Sequence, residues 1–349
     1  MTAPVITFFN NKGGVGKTTL VYHVAWMAAR HGLNVLAADL DPQANLTANF
    51  LDEESLERLW LVDGTPTAQA RTIFGSLGPL IRGIGDIAEP PVVAVADRLS
   101  LVPGDLALSR FEDELSSQWP ECLDGKERAF RVISAFWRLL RMAAERAEAD
   151  VVFVDVGPNL GAINRSALVA ADNVVFPLAP DLFSAQGLQN LGPTLRDWRK
   201  HWRDRIPKNP NPSLDLPSGS MKPTGYILLG HGVRLGQPVK AYQRWMDRIP
   251  GIYRSSVLGV DEPAPPVDTD PHCLGQVKHY RSLMPLSYEA RKPVFALKPA
   301  DGAFGGHQAA VTAAEAHYAA LTDRILREVG GRPDAEERYQ DRRRDYGRS

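Results

Sequence analysis

Asn10-Asn11-Lys12-Gly13-Gly14-Val15-Gly16-Lys17-Thr18-Thr19 decides how this chain folds. Just before it, Val5-Ile6-Thr7-Phe8-Phe9 is a short apolar, β-branched and aromatic run of the kind that forms a buried strand. Just after it, Leu20, Val24, Met27 and Ala28 recur at helical spacing and predict a helix from Thr19 to Arg30. Strand, glycine loop and helix in that order give the pattern G-x-x-x-x-G-K-[ST] its meaning as a phosphate-binding loop, and the pattern is met here once its first glycine is relaxed. Gly13, Gly14 and Gly16 allow the backbone to turn its N–H groups toward a polyphosphate, beside the positive end of the following helix. Lys17 would then meet the β- and γ-phosphates, the Thr18 hydroxyl would ligate Mg²⁺, and Val15 and Thr19 would complete the cradle.

Two further apolar runs end in carboxylates. Asn34-Val35-Leu36-Ala37-Ala38-Asp39-Leu40-Asp41-Pro42-Gln43-Ala44-Asn45 closes on Asp39 and Asp41, and Asp150-Val151-Val152-Phe153-Val154-Asp155-Val156-Gly157-Pro158-Asn159-Leu160-Gly161 closes on Asp155. In an open parallel sheet the ligand crevice lies outside the carboxyl ends of the strands, so all three groups are expected to face the γ-phosphate and its metal. Asp155 has the form of a strand-end acid that holds Mg²⁺, usually through water. Gly157, Pro158 and Gly161 give the loop after it the freedom of a switch segment.

The arrangement K-G-G-V-G-K-T-T from Lys12, followed by D-x-D-P-Q-x-N from Asp39 and D-x-x-P-x-x-G from Asp155, resembles the deviant Walker A ATPases of the ParA and MinD type, nearer to ParA. Weaker similarity extends over most of residues 3–328. It includes Leu99-Ser100-Leu101-Val102-Pro103-Gly104, the run Asn173 to Asp181 with Ser184-Ala185-Gln186-Gly187-Leu188, and Tyr280-Arg281 with Lys292-Pro293-Val294. The resemblance implies a mostly parallel twisted α/β sheet with helices on both faces, and a Mg²⁺-dependent ATPase that closes into an ATP-bound sandwich homodimer. It implies catalytic roles for Lys12, Lys17 and Asp41: Lys12 reaches the partner subunit's phosphates, and Asp41 positions or activates the attacking water. Thr18 and Asp155 would serve the metal, and Asp39 would support the loop and the metal shell. A slow, partner-stimulated hydrolysis would act in plasmid or chromosome partitioning over nonspecific DNA, with a ParB-like centromere-binding stimulator and with Arg281 and Lys292 as DNA contacts. The alternative is the same nucleotide switch positioning another protein complex, without DNA as its track.

Composition bounds the rest. The chain has 349 residues, 44% of them hydrophobic, and fits one ATPase domain over residues 1–329 with a polar, charged tail over 330–349. No run of about eighteen apolar residues occurs and the N-terminus reads as a strand, so a cytoplasmic protein without a membrane anchor is expected, nucleoid-associated if it binds DNA. The tail lacks the apolar face of a membrane-gliding helix. Cys122 and Cys273 are single and far apart, which counts against the iron–sulfur relatives of this class. The net charge of −1 leaves DNA binding to local patches. Candidates are Arg196, Arg199, Lys200, Arg203 and Arg205, interleaved with Trp198 and Trp202, then Arg281, Arg291 and Lys292, and the tail arginines, which nearby acids largely cancel.

Three segments interrupt the ATPase pattern, near 52–97, 205–223 and 231–275. The second is proline-rich and long enough to be mobile or functional. At the end of the strand at Tyr226, Gly230-His231-Gly232 stands where many relatives place an adenine-contacting Asn, so base recognition is expected to use other groups, with His231 one candidate.

Overall fold

The computed structural model describes residues 3–62, 65–66, 71–231, 233–234, 237–238, 240–278, 280 and 282–330, with backbone alone at 61–62, 65–66 and 231–242. Arg281, the His231 side chain and the tail arginines lie outside what is described.

Eight strands form the central sheet: β1 Val5–Phe8, β2 Val35–Asp39, β3 Val93–Ala96, β4 Leu99–Val102, β5 Val151–Asp155, β6 Asn173–Leu178, β7 Lys222–His231 and β8 Cys273–Lys278. Their spatial order is β8-β7-β6-β1-β5-β2-β4-β3, and every neighbouring pair is parallel except β3 with β4. That exception is an edge hairpin, which a short connection can make and a crossover cannot. β1, β2, β5 and β6 are buried along their whole length. Alternate residues serve opposite faces: Val5, Phe9, Leu36 and Ala38 join one core, and Ile6, Phe8, Val35 and Ala37 the other. A sheet covered on both sides demands such continuous apolar runs, so the expected doubly covered α/β fold is the one observed.

The helices used below are α1 Lys17–Arg30, α2 Asn45–Phe50, α3 Phe111–Glu121, α4 Ala135–Arg146, α5 Ala162–Val169, α6 Leu182–Arg205, α7 Met284–Ala290 and α8 Gly306–Val329. α1 starts two residues earlier than its apolar spacing predicts, because Gly16 at φ 92° turns the chain directly into the helix at Lys17. The phosphate-loop lysine is thereby a first-turn residue.

The interleaved arginines and tryptophans of α6 are mainly a packing device. Trp202 is fully buried and stacks on Trp119 at 6.0 Å between centroids, while Arg205 lies over the Trp119 ring at 4.3 Å. Arg199 and Arg205 donate to the carbonyls of Met221 and Trp119 at 2.5 and 3.0 Å, and only Lys200 and Arg203 of the five cations stay exposed. The proline-rich 205–223 segment is pinned to the same place. Trp202 Nε1 donates to Pro217 O at 2.9 Å, and Asn211 Nδ2 donates to Glu127 Oε1 at 2.9 Å. Gly219, at φ 63°, passes so close that a Cβ there would stand 2.2 Å from Trp202 Cδ1. Truncating Trp202 to alanine is therefore expected to cost about 3–5 kcal/mol of unfolding free energy and to expose the 205–223 segment to limited proteolysis. Unchanged protease resistance would show that the segment is held by something else.

The cysteines are structural. Both are free, Cys122 is fully buried, and burial pushes the two thiols up to about 12 and about 11. Among the described residues no helix is long and apolar enough to cross a membrane, and no cluster of three or more His, Cys, Asp or Glu could hold a metal ion.

Candidate active site

β1, β2 and β5 lie side by side, so the loops at their carboxyl ends meet. Asp39 is in register with Asp155, and Phe8 with Asp155 on the other side. The glycine loop leaves β1 here and enters α1 with no side chain capping the helix. The first-turn N–H groups of a helix have no partner inside it, so this end presents unclaimed donors. Gly14 and Gly16 both take positive φ, and a Cβ on Gly14 would meet nothing within 4 Å.

Lys17 is 7% exposed, and its Nζ lies 3.5 Å from Asp155 Oδ1. Thr18 Oγ1 donates to Asp155 Oδ2 at 2.6 Å. Burial pushes the Asp155 carboxyl up, and Lys17 and Thr18 oppose that rise. Asp155 Oδ1 is buried without a hydrogen-bond donor. A buried carboxylate oxygen without a close hydrogen-bond donor, 3.5 Å from the Lys17 ammonium and beside a threonine hydroxyl, fits Mg²⁺, which Thr18 and Asp155 would hold.

Asp41 is 4% exposed and fixed from two sides. Its N–H is held by Asp39 Oδ1 at 3.2 Å, and its Oδ1 accepts from Gln43 N at 3.0 Å. Gly157 presses against it: a Cβ there would stand 3.4 Å from Asp41 Oδ1. Asp39 departs from the expectation of a metal-shell role. Its Oδ2 accepts from both Thr47 N at 2.8 Å and Thr47 Oγ1 at 2.7 Å, its Oδ1 from Asp41 N, and the Gly104 backbone closes over it. Burial, and then the nearby Asp155 charge, push its carboxyl up to about 7. It is a buried brace that shapes the loop carrying Asp41.

Lys12 does not stand free. Its ammonium pairs with Asp181, the N-cap of α6, and lies 5.8 Å from the Phe183 ring. Burial raises the Asp181 carboxyl, but Lys12 and Ser184 outweigh it and hold the group below its ordinary value. Asn10 fastens the loop beneath by donating from Nδ2 to Pro177 O at 2.6 Å. Around this corner Leu160, Leu182 and Phe183 are exposed at 39%, 50% and 68%.

The 157–161 loop is held by residues that no local pattern announced. Glu112, on α3, accepts from Ala162 N and Ile163 N at 2.5 and 2.8 Å, capping α5 from fifty residues away. Asn164 Nδ2 donates to Gly157 O and Asn159 O at 2.8 and 2.7 Å. The candidate DNA contact Lys292 pairs with Asp301 at 2.7 Å and sits apart from this crevice, near α7.

His23 ties the phosphate-loop helix to that distant segment. Its Nδ1 lies 2.7 Å from Thr19 O, its Nε2 accepts from Val294 N at 3.1 Å, and it stacks on Tyr318. Burial pushes the imidazole down to about 4. A neutral folded imidazole that would protonate near 6.5 when unfolded contributes stability that is complete above that pH and lost as pH falls toward 4, about 3 kcal/mol in all. Asp39 acts in the opposite sense, since a carboxyl raised to about 7 loses stability as pH rises from the unfolded value through 7. The two slopes oppose each other in the wild type. A His23→Gln variant is thus expected to show a melting temperature that falls steadily from pH 4 to pH 7, and parallel profiles for the two proteins would refute the assignment.

Residues 3–208 match the AAA domain family, AAA_31. The chromosome partitioning protein ParA of Caulobacter vibrioides is 28% identical over 216 residues, which are 61% of this chain and 66% of that protein. The chain therefore spans just under two thirds of that relative's length. Among solved structures, protein DIP2308 from Corynebacterium diphtheriae superposes with a TM-score of 0.71 at 26% identity, covering 94% of this chain and 99% of the other. McdA from Cyanothece, solved as an ATP complex, shares the fold with a TM-score of 0.62 at 15% identity, covering 94% and 97%.

Proposed function

The chain belongs to the AAA_31 family, on its ParA-type side, and from that membership we propose a Mg²⁺-dependent ATPase whose ATP-bound form is a sandwich dimer acting in DNA partitioning. The observation that carries this reading is the gathering of Lys12, Lys17, Thr18, Asp41 and Asp155 at the carboxyl ends of the adjacent central strands β1, β5 and β2. When bound, Mg²⁺ neutralises charge shared between the β- and γ-phosphates. Thr18 and Asp155 would hold the metal, and Lys17 and the N–H groups of residues 13–19 would receive the phosphates. Asp39 braces the loop, and Asp41 orients the attacking water. Positioning and charge suffice for phosphoryl transfer, which needs little covalent help from the protein.

Dimerisation enters through Lys12. To reach a second subunit's phosphates its ammonium must leave Asp181, exchanging one anion for another. Gly157, Pro158 and Gly161 beside Asp41 then report the γ-phosphate to the surface. The dimer doubles a weak phosphate-binding surface, so DNA affinity follows nucleotide state. A ParB-like protein at the centromere stimulates hydrolysis and release.

The test is binding of a random-sequence duplex with ADP, with ATP, and with ATP plus Asp41→Ala, over a salt series. ATP-dependent binding that weakens steeply with salt and persists in the Asp41 variant is the expected result. A second reading, a switch for another protein complex without a DNA track, draws on Lys292 being paired with Asp301. It predicts ATP-dependent dimers that ignore DNA at every salt concentration.

A further inference from the structure

Gly161 caps α5 at φ −74°, an angle open to any residue, so its backbone does not require glycine. A Cβ there would nevertheless stand 2.6 Å from Glu112 Oε1 and 2.9 Å from Asn159 Oδ1. The space is taken by the Glu112 carboxylate, which crosses from α3 to accept from Ala162 N and Ile163 N at 2.5 and 2.8 Å. We propose that Glu112 is a positioning residue for ATP hydrolysis, holding the 157–161 loop where Gly157 confines the Asp41 carboxylate. This rests on the ATPase reading, and it adds to that reading a residue from outside the three motifs.

The hold is double. The first-turn N–H groups of α5 have no partner inside the helix, and a half-buried carboxylate at that positive end satisfies two of them at once. From within α5, Asn164 Nδ2 donates to Gly157 O, Asn159 O and Asn159 Oδ1 at 2.8, 2.7 and 3.0 Å, and Gly161 N donates to Asn159 Oδ1 at 2.8 Å. The loop is therefore tied to the first turn of α5, and that turn is tied to Glu112. At its other end the loop meets the site: a Cβ on Gly157 would stand 3.4 Å from Asp41 Oδ1, and one on Gly13 would stand 3.8 Å from Pro158 Cγ. The far side of the clamp is anchored to the same brace as Asp41. Thr47 Oγ1 donates to Asp39 Oδ2 at 2.7 Å and accepts from Gly104 N at 2.8 Å. From Gly104 the chain passes through Asp105, which accepts from Ala107 N and Thr72 Oγ1 at 2.8 and 2.6 Å, and enters α3 one residue before Glu112. Asp41 and Glu112 thus extend from one buried brace and close on the loop from either end.

Single-turnover phosphate release and Mg-ATP affinity are measured on the full chain, with turnover expressed per bound ATP so that misfolded protein does not count. Glu112→Gln keeps the length of the side chain, but it offers one acceptor oxygen in place of two and turns an NH₂ toward a donor. It is expected to lower turnover about tenfold, and Glu112→Ala about 100-fold, the scale for a displacement of about 1 Å at a reacting centre, while ATP affinity stays within about threefold. Glu114→Gln, on the same helix, removes an ion pair with Arg128 and is expected to turn over as the wild type does. Wild-type turnover per bound ATP in Glu112→Gln, even with a lowered melting temperature, would show that the carboxylate only caps α5; the inference is then overturned and the ATPase reading stands. Equal losses in Glu112→Gln and Glu114→Gln would assign the effect to α3 as a whole and overturn it too. A wild type that binds ATP and releases no phosphate would sink the ATPase reading, and the inference with it.

Discussion

Replacing Asp41 by alanine is expected to slow ATP hydrolysis by about 10²- to 10⁴-fold, the range for removing a group that positions or deprotonates a nucleophile, while ATP affinity changes less than threefold. The asymmetry follows from where Asp41 sits. It makes no hydrogen bond or ion pair with Lys17 or Thr18, and is held instead by Asp39 and Gln43, with Gly157 close beside its carboxylate. Losing its carboxylate therefore leaves the phosphate cradle standing and removes a group made for the transition state. Single-turnover phosphate release with parallel titration of ATP binding separates the two quantities. A variant that loses affinity and turnover in equal proportion would mean that Asp41 serves binding.

Replacing Lys17 by alanine is expected to do the reverse and abolish binding, with ATP affinity lowered at least 100-fold, about 2.7 kcal/mol. Two losses add. The phosphates lose a charge-assisted donor that is already desolvated at 7% exposure. Asp155 also loses the cation 3.5 Å away that opposes its burial, so its carboxyl rises further and the metal meets a more readily protonated ligand. The check is the thermal shift produced by Mg-ATP, which should vanish in the variant. A shift of wild-type size would remove Lys17 from the phosphate site.

The strand, loop and helix around residues 5–30 were legible because each signal is local: a buried strand needs a continuous apolar run, and a tight anion loop needs glycine. Asp41 and Asp155 were legible for the same reason, as acids at the ends of apolar runs. What escaped the sequence lies across long separations. Asp181 meets Lys12 from 169 residues away, and Glu112 caps α5 from fifty, so neither has a neighbour that announces it. The resemblance gives Asp39, two residues before Asp41 at the same strand end, a role toward the metal shell as well as the loop. Thr47, eight residues further on, captures its carboxylate and makes it structural. The proline-rich 205–223 segment had the composition of a free loop, and the tryptophan that pins it lies on the preceding helix, where periodicity shows only that it faces inward.

The strand order has one further outcome, for the newborn chain. β1 pairs with Val151–Asp155 and Asn173–Leu178, and Asn10 is anchored to Pro177. The nucleotide loop therefore has no complete scaffold until Pro177, 167 residues after Asn10, has left the ribosome. At roughly 5–20 residues per second, that is a delay on the order of ten seconds or more. During it the apolar strand β1 stands unpaired, and the glycine loop after it has no sheet to hold it.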